Sequence, residues 1–456
     1  MKKSVIFFIV FCFIYSVVDA KNMQINNSAE QDLYAERVKQ AFTKAWSAYK
    51  TYAWGKDAVN PIAKTGHNWY SETLLMTPID AFSTMCIMKL EQEKEEAKKL
   101  IFDHLNFDKD MKIQQFEIAI RIMGGLLSAY QLDGDPRFLQ LAEDLGKRML
   151  PVFDSPTGIP YRWVNLRTGE VSGEITNPCE VGSMLLEYGM LSKLTNKPIY
   201  YEKCKKGVVA VFERRSKLTN LIGSEIDVNS GKWVNDEAHL SGGIDAYYEY
   251  LLKGWLLFKD PDLKHMWEVC KKSIDNYLAD NVESGFWYGR ANMNNGNRTK
   301  TTFCALDCFY GAVLCLDGDF KSATELQKSI YKMWMLCGLE PELIDYKDMK
   351  ILNPCYMARP EAIEATYYLW HFTNDIQYYE MGKQMFDSIE RYCQVDNGYV
   401  QIKDVRSMEK WDTLESFFFA ETLKYCYLFF APKRDFDLDK CVLNTEAHPF
   451  FVTWDK

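Results

Sequence analysis

Seven acidic residues recur along this chain, each near the start of an apolar helical stretch: Asp80, Glu117, Glu180, Asp245, Asp307, Glu361 and Glu415. Their spacings are 37, 63, 65, 62, 54 and 54 residues, roughly two helices plus loops at about 1.5 Å rise per residue. The helix that follows each acid is apolar nearly all round, as in Ile118–Tyr130 and Met184–Leu191, and a one-sided helix comes next, as in Arg137–Leu150 and Lys321–Leu336. An all-round apolar helix is buried and a one-sided helix covers it. Seven such pairs predict an all-α fold, an (α/α)7 barrel in a single large domain, with the inner N-termini at one mouth. Strand-like alternation is limited to short pieces such as Tyr161–Leu166 and Tyr399–Lys403.

One carboxylate at a helix N-terminus needs no function, because it complements the helix dipole. Seven around one mouth would repel one another. Stability alone does not favour such a ring, whereas acid–base chemistry or cation binding needs it.

Five motifs carry the chemistry. In Gln115–Arg121, Glu117 and Arg121 are four apart and share a helix face. Ile118, Ile120, Ile122 and Met123 leave that helix little surface, and a carboxyl in an apolar wall stays protonated, as a general acid must. In Gly242–Lys253, paired glycines permit close approach ahead of Asp245, and Glu249 shares its face. In Ala358–Ala365, Pro360 suits a first helical turn, so Glu361 points to the mouth and Arg359 can hold a carboxylate or a sugar hydroxyl. In Glu415–Tyr425, three successive rings stand between carboxylates, and one of them could stack on a pyranose. In Leu443–Pro449, Thr445 offers a hydroxyl and a carbonyl, hard oxygen ligands suited to calcium beside carboxylates.

Composition removes other classes. The 456 residues are 47% hydrophobic and 26% charged, which is globular. With 54 basic and 63 acidic residues, net −9, and no Lys/Arg-rich run, nucleic acid and anionic membranes are poor partners. The six histidines form no zinc motif, and neither a P-loop, a dinucleotide fingerprint nor a nucleophile elbow is present. Lys2 and Lys3, the apolar run Val5–Tyr15 and Val18-Asp19-Ala20 read as a secretory signal over residues 1–20, leaving 21–456 as the catalytic domain. Cleavage leaves 52 basic and 62 acidic residues, net −10, and twelve cysteines whose pairing the sequence does not define. No later stretch is long and apolar enough for membrane insertion.

Phe116-Glu117 with Arg121, Gly124–Tyr130, Asp245–Lys253, Arg359-Pro360-Glu361, Glu415–Phe418 and Thr445–His448 together resemble the class I α-mannosidases of glycoside hydrolase family 47. The likeness runs from about Tyr52 to the C-terminus. Tyr161–Asn165 and Gly231–Val234 resemble most the ER degradation-enhancing mannosidase-like branch and its bacterial relatives. The resemblance implies the same barrel, bound calcium, and inverting hydrolysis of terminal α-1,2-linked mannose. Glu117 would be the general acid, acting through a water, Glu361 the general base and Asp245 a third carboxylate. Arg121, Glu180, Arg359, Glu421 and Glu446 would hold the sugar or its waters, Phe417 would lie under the ring, and Thr445 would bind the Ca2+. Inversion requires acid and base carboxyls about 6.5–9.5 Å apart, leaving room for a water.

The expected partner is a mannose-rich oligosaccharide or glycoprotein glycan. A monomer is expected, exported to a periplasm or secreted, with the ER lumen as the other compartment. Thr301–Asp307 lacks the histidine that ER α-1,2-mannosidases carry in the fifth inner helix. The alternative is a mannose-binding, lectin-like protein with little turnover, which would have no need of a general base. A sugar epimerase or lyase of similar fold would lean on histidine or tyrosine instead.

Overall fold

The structure is a computed structural model describing residues 29–432 and 436–454. The expected signal segment and Cys12 lie outside the described residues. Seven inner helices form a closed ring: Met76–Met88, Gln115–Asp133 (through a widened turn at Ala119–Met123), Pro178–Thr195 (interrupted at Ser183), Asp245–Phe258, Ala305–Asp317, Glu361–Thr373 and Phe418–Phe430. Each packs on the next, and the seventh returns to the first. Outside them stand helix 29–52 and the helices Glu91–His104, Pro136–Met149, Ile199–Glu213, Pro261–Tyr277, Phe320–Trp334 and Ile376–Cys393. This is the (α/α)7 barrel that the repeat predicts.

Burial separates the two layers as the sequence does. Every residue of Met76–Met88 except Cys86 is buried. Pro136–Met149 buries only Phe138, Ala142, Leu145, Gly146 and Met149, the three-and-four spacing of a one-sided helix. The turn between the layers is also repeated. Inner helices end on left-handed residues, Lys89, Gly134, Asn196, Lys259, Gly318 and Asn374. Asp135, Asp260, Asp319 and Asp375 follow directly and cap the outer helix, each accepting from a backbone N–H two or three residues on.

The sequence underestimates β-structure. Nine small sheets of two or three short strands lie among the described residues. Most join an outer helix to the next inner one, and four pair the strand leading into an inner helix with the hairpin that follows the next outer helix, as Lys112–Gln114 does with Trp163–Asn165. Runs of two to four residues are too short for a period-two pattern to register. They collar the mouth where the inner N-termini converge. A last hairpin, Cys441–Leu443 with Pro449–Phe451, packs against the second and fourth inner helices and carries the turn Asn444–His448 into the barrel.

All twelve cysteines from Cys86 to Cys441 are free thiols. A core of this size holds without disulfides. Among the described residues no helix is long and apolar enough to cross a membrane.

Candidate active site

At the mouth a pocket of about 280 Å3 opens over the inner N-termini. Glu117 from the second inner helix, Asp245 from the fourth and Glu361 from the sixth all line it. So do Arg121, Arg359, Phe417, Glu421, Thr445 and Glu446, so nine of the ten expected site residues meet there. The tenth does not. Glu180 is buried beside the pocket, where Oε1 accepts from Gln114 Nε2 at 2.7 Å and pairs with Arg162 at 2.9 Å. Its Oε2 accepts from Thr176 at 3.0 Å, and the carboxylate does not line the pocket.

Of the seven acids in the repeat, four do not line the pocket and are held by their own surroundings. Glu180 is one. Asp80 is fully buried between Ser416, His448 and Arg121. Asp307 accepts from Cys304 N–H at 2.7 Å and so caps the fifth inner helix. Glu415 accepts from the Trp69 indole and from Thr413, both at 3.1 Å. Burial and the nearby charge of Asp245 still raise Asp307 to about 7.

Glu117 does not sit in the apolar wall that its neighbours suggested. Its side chain is 23% exposed and Arg121 Nε bonds it at 3.0 Å. Burial pushes Asp245 up to about 6 and Glu361 up to about 8, Arg359 opposing the latter. Asp245 Oδ1 accepts from Ala246 N–H at 2.9 Å, and Glu361 Oε2 is buried without a partner among the described residues. Gly243, at φ +97°, turns the chain into the Asp245 helix as only glycine does easily.

Two arginines brace the walls. Arg121 is 8% exposed, bonds Glu117 and Glu446, and lies 5.1 Å from the Trp69 ring centre and 5.7 Å from that of Phe417. Arg359 grips Glu342 with Nη2 at 2.9 Å and Nε at 3.3 Å. The wide turns Ala119–Met123 and Phe418–Thr422 carry Arg121 and Glu421, which re-aims both side chains inward.

Beneath these lies a floor of carboxyls: Glu249, Glu364, Glu421 and Glu446. Burial and mutual repulsion raise Glu421 and Glu446 well above the usual carboxylate range, and Glu364 to about 7. Lys253, itself buried, pairs with Glu249. Thr445 enters the floor from the C-terminal turn with its N–H on Tyr250, while its hydroxyl and carbonyl have no partner among the described residues. No cluster of three His, Cys, Asp or Glu side chains in metal-ligating geometry is found among the described residues. A single hard cation on the two Thr445 oxygens, completed by waters held by this floor, fits the donor set and would relieve the repulsion.

Sequence reasoning assigned no role to Glu249, Glu364, Cys179, Leu306 and Phe309, all of which line the pocket. The first two carried a usable signal, standing four residues after Asp245 and three after Glu361 on helices already placed. Leu306 and Phe309 come from the fifth inner helix, the stretch without histidine.

A family model described as glycosyl hydrolase family 47 matches residues 41–452. Mannosyl-oligosaccharide 1,2-alpha-mannosidase MNS1 of Arabidopsis thaliana is 34% identical, over 91% of this chain and 78% of its own length. ER degradation-enhancing alpha-mannosidase-like protein 2 of Mus musculus is 34% identical, over 91% of this chain and 77% of its own. The solved alpha-1,2-mannosidase from Trichoderma reesei superposes with a TM-score of 0.86 at 26% identity, covering 92% of this chain and 99% of that one.

Proposed function

The chain belongs to glycosyl hydrolase family 47, and on that premise we propose that it is an exported, calcium-dependent, inverting α-1,2-mannosidase that trims terminal mannose from mannose-rich glycans. The observation that carries this reading is the convergence of Glu117, Asp245 and Glu361, from three separate helices, over a carboxyl floor that includes Thr445. Binding without turnover would not need three carboxyls aimed into one small pocket.

In this reading the terminal mannose sits against Phe417 with its anomeric carbon between opposite walls. Glu361 takes a proton from the water that attacks one face of that carbon. Glu117, through a second water, gives a proton to the departing glycosidic oxygen on the other face, and the configuration inverts. Asp245 adds negative charge as the anomeric carbon becomes cationic. Arg359 lies beside Glu361 and favours its ionised, basic form. Arg121 fixes Glu117, and Glu421 and Glu446 hold waters under the sugar. Thr445 would hold Ca2+ through its hydroxyl and carbonyl, and the ion would supply a hard Lewis-acid contact to sugar hydroxyls. The chain is read as a monomer acting in a periplasm or outside the cell.

The test is release from α-1,2-mannobiose, with calcium or with EDTA, followed by the anomeric protons in NMR. β-Mannose as the first product, lost with EDTA, is expected. First-formed α-mannose would refute inversion, and undiminished turnover in EDTA would refute the calcium requirement.

A further inference from the structure

Thr445 reaches the pocket floor on a turn with no secondary structure of its own, so something in the barrel must aim its two oxygens. Its N–H donates to Tyr250 Oη at 3.2 Å, and Tyr250 donates in turn to Glu187 Oε1 at 2.8 Å. The residue before it is tied to the same atom, because Asn444 Nδ2 donates to Glu187 Oε1 at 2.8 Å. Asn444 also donates to the Ile120 carbonyl at 3.1 Å, and its Oδ1 accepts from the N–H groups of Glu446 and His448. Glu187 and Tyr250 are wholly buried on the third and fourth inner helices and do not line the pocket. Both flanks of Thr445 end on one carboxyl oxygen.

We propose that Glu187 and Tyr250 are positioning residues for the cation, a buried clamp that holds Thr445 with its hydroxyl and carbonyl aimed at the floor. The inference rests on the calcium reading above. Other anchors grip the far side of the turn, Lys424 on the Ala447 carbonyl and His448 on Asp80. The Thr445 carbonyl shares its peptide plane with the Glu446 N–H, which Asn444 Oδ1 holds, and the plane before it is held by the Thr445 N–H on Tyr250, so the planes on both sides of Thr445 lead back to Glu187 through Asn444 and Tyr250. A partner one step behind a metal ligand commonly changes metal affinity by about 10–100-fold.

Calcium binding to the chelator-stripped full chain, measured by titration calorimetry, tests the clamp without reference to activity, and the melting temperature of the stripped protein is measured beside it. Tyr250→Phe deletes one oxygen and keeps the packed ring, and it should weaken calcium about 10-fold. Glu187→Leu should weaken it more, while Glu187→Gln, whose amide oxygen still accepts both bonds, should stay within about threefold of the parent. Parent-like calcium affinity in both Tyr250→Phe and Glu187→Leu, with or without a lower melting temperature, would reduce these residues to structural parts and overturn the clamp. If Glu187→Leu fails to fold, Tyr250→Phe and Glu187→Gln decide between the same outcomes. No calcium binding by the parent protein would overturn the calcium reading itself, and the clamp with it.

Discussion

Replacing Arg121 by methionine probes the electrostatics of the pocket most directly. Arg121 faces three carboxyls at once: Glu117 at 3.0 Å, Asp80 at 3.5 Å and Glu446 in closer contact. Methionine keeps the packing between Trp69 and Phe417 but removes the charge. Breaking a buried ion pair from one side typically costs about 3–5 kcal/mol, because the remaining charge stays buried and unpaired. Three carboxyls share the loss here, so about 4 kcal/mol is expected, and at about 1 °C per kcal/mol for a chain this long the melting temperature should drop by about 4 °C. The pH dependence has a defined sign. His448 and Arg121 hold Asp80 below its ordinary value. Its contribution is therefore present above the unfolded pKa of about 3.9 and is lost as pH falls through the folded value. Removing Arg121 takes that contribution away, so the deficit should be full near pH 7 and shrink only as pH falls below about 4. Calorimetric melts of the parent, Arg121→Met and Arg121→Lys between pH 2.5 and 7.5 measure it, and Arg121→Lys should recover most of the loss. A loss under 2 °C, or one that does not change with pH, would refute Arg121 as the shared counter-ion.

Glu361→Gln should lower kcat by about 10²–10⁴-fold while a non-hydrolysable thio-linked mannobiose still binds by calorimetry; near-parental turnover would remove Glu361 as the base. Burial raises Asp245 to about 6 and Glu361 to about 8 in the cation-free pocket. A raised carboxyl contributes stability that is full below its unfolded pKa and is lost as pH rises through the folded value. The melting temperature of the EDTA-treated protein should therefore fall between pH 5 and pH 8.5, and Asp245→Asn with Glu361→Gln should flatten that fall. Gly182→Ala puts a methyl 2.7 Å from the Tyr247 Cα, where the third and fourth inner helices touch. Backbone cannot yield as a side-chain tip does, so about 1–3 kcal/mol of stability should be lost in urea unfolding.

The chain's local patterns determined its layered helix pairs. All-round and one-sided apolar periodicity describes a helix's surroundings directly, so inner and outer helices were legible without any long-range information. The left-handed residue followed by a capping aspartate, as in Gly134-Asp135-Pro136, was equally legible and marks the turn between layers. The acids near inner N-termini were visible for the same reason.

Only the tertiary structure decided which of those acids face the pocket. Successive helix residues rotate by about 100°, so one or two positions relative to the helix start turn an acid from the pocket to the wall. Asp80, Glu180, Asp307 and Glu415 thereby turned into the wall, whereas Glu117, Asp245 and Glu361 line the pocket. The same holds for the floor. Asn444 meets Glu187 across 257 residues of sequence, and nothing local to Leu443–Pro449 indicates that a turn near the C-terminus lies at the barrel centre. Sequence periodicity reports the environment of a helix face, while the partner of a loop is set by closure of the whole ring.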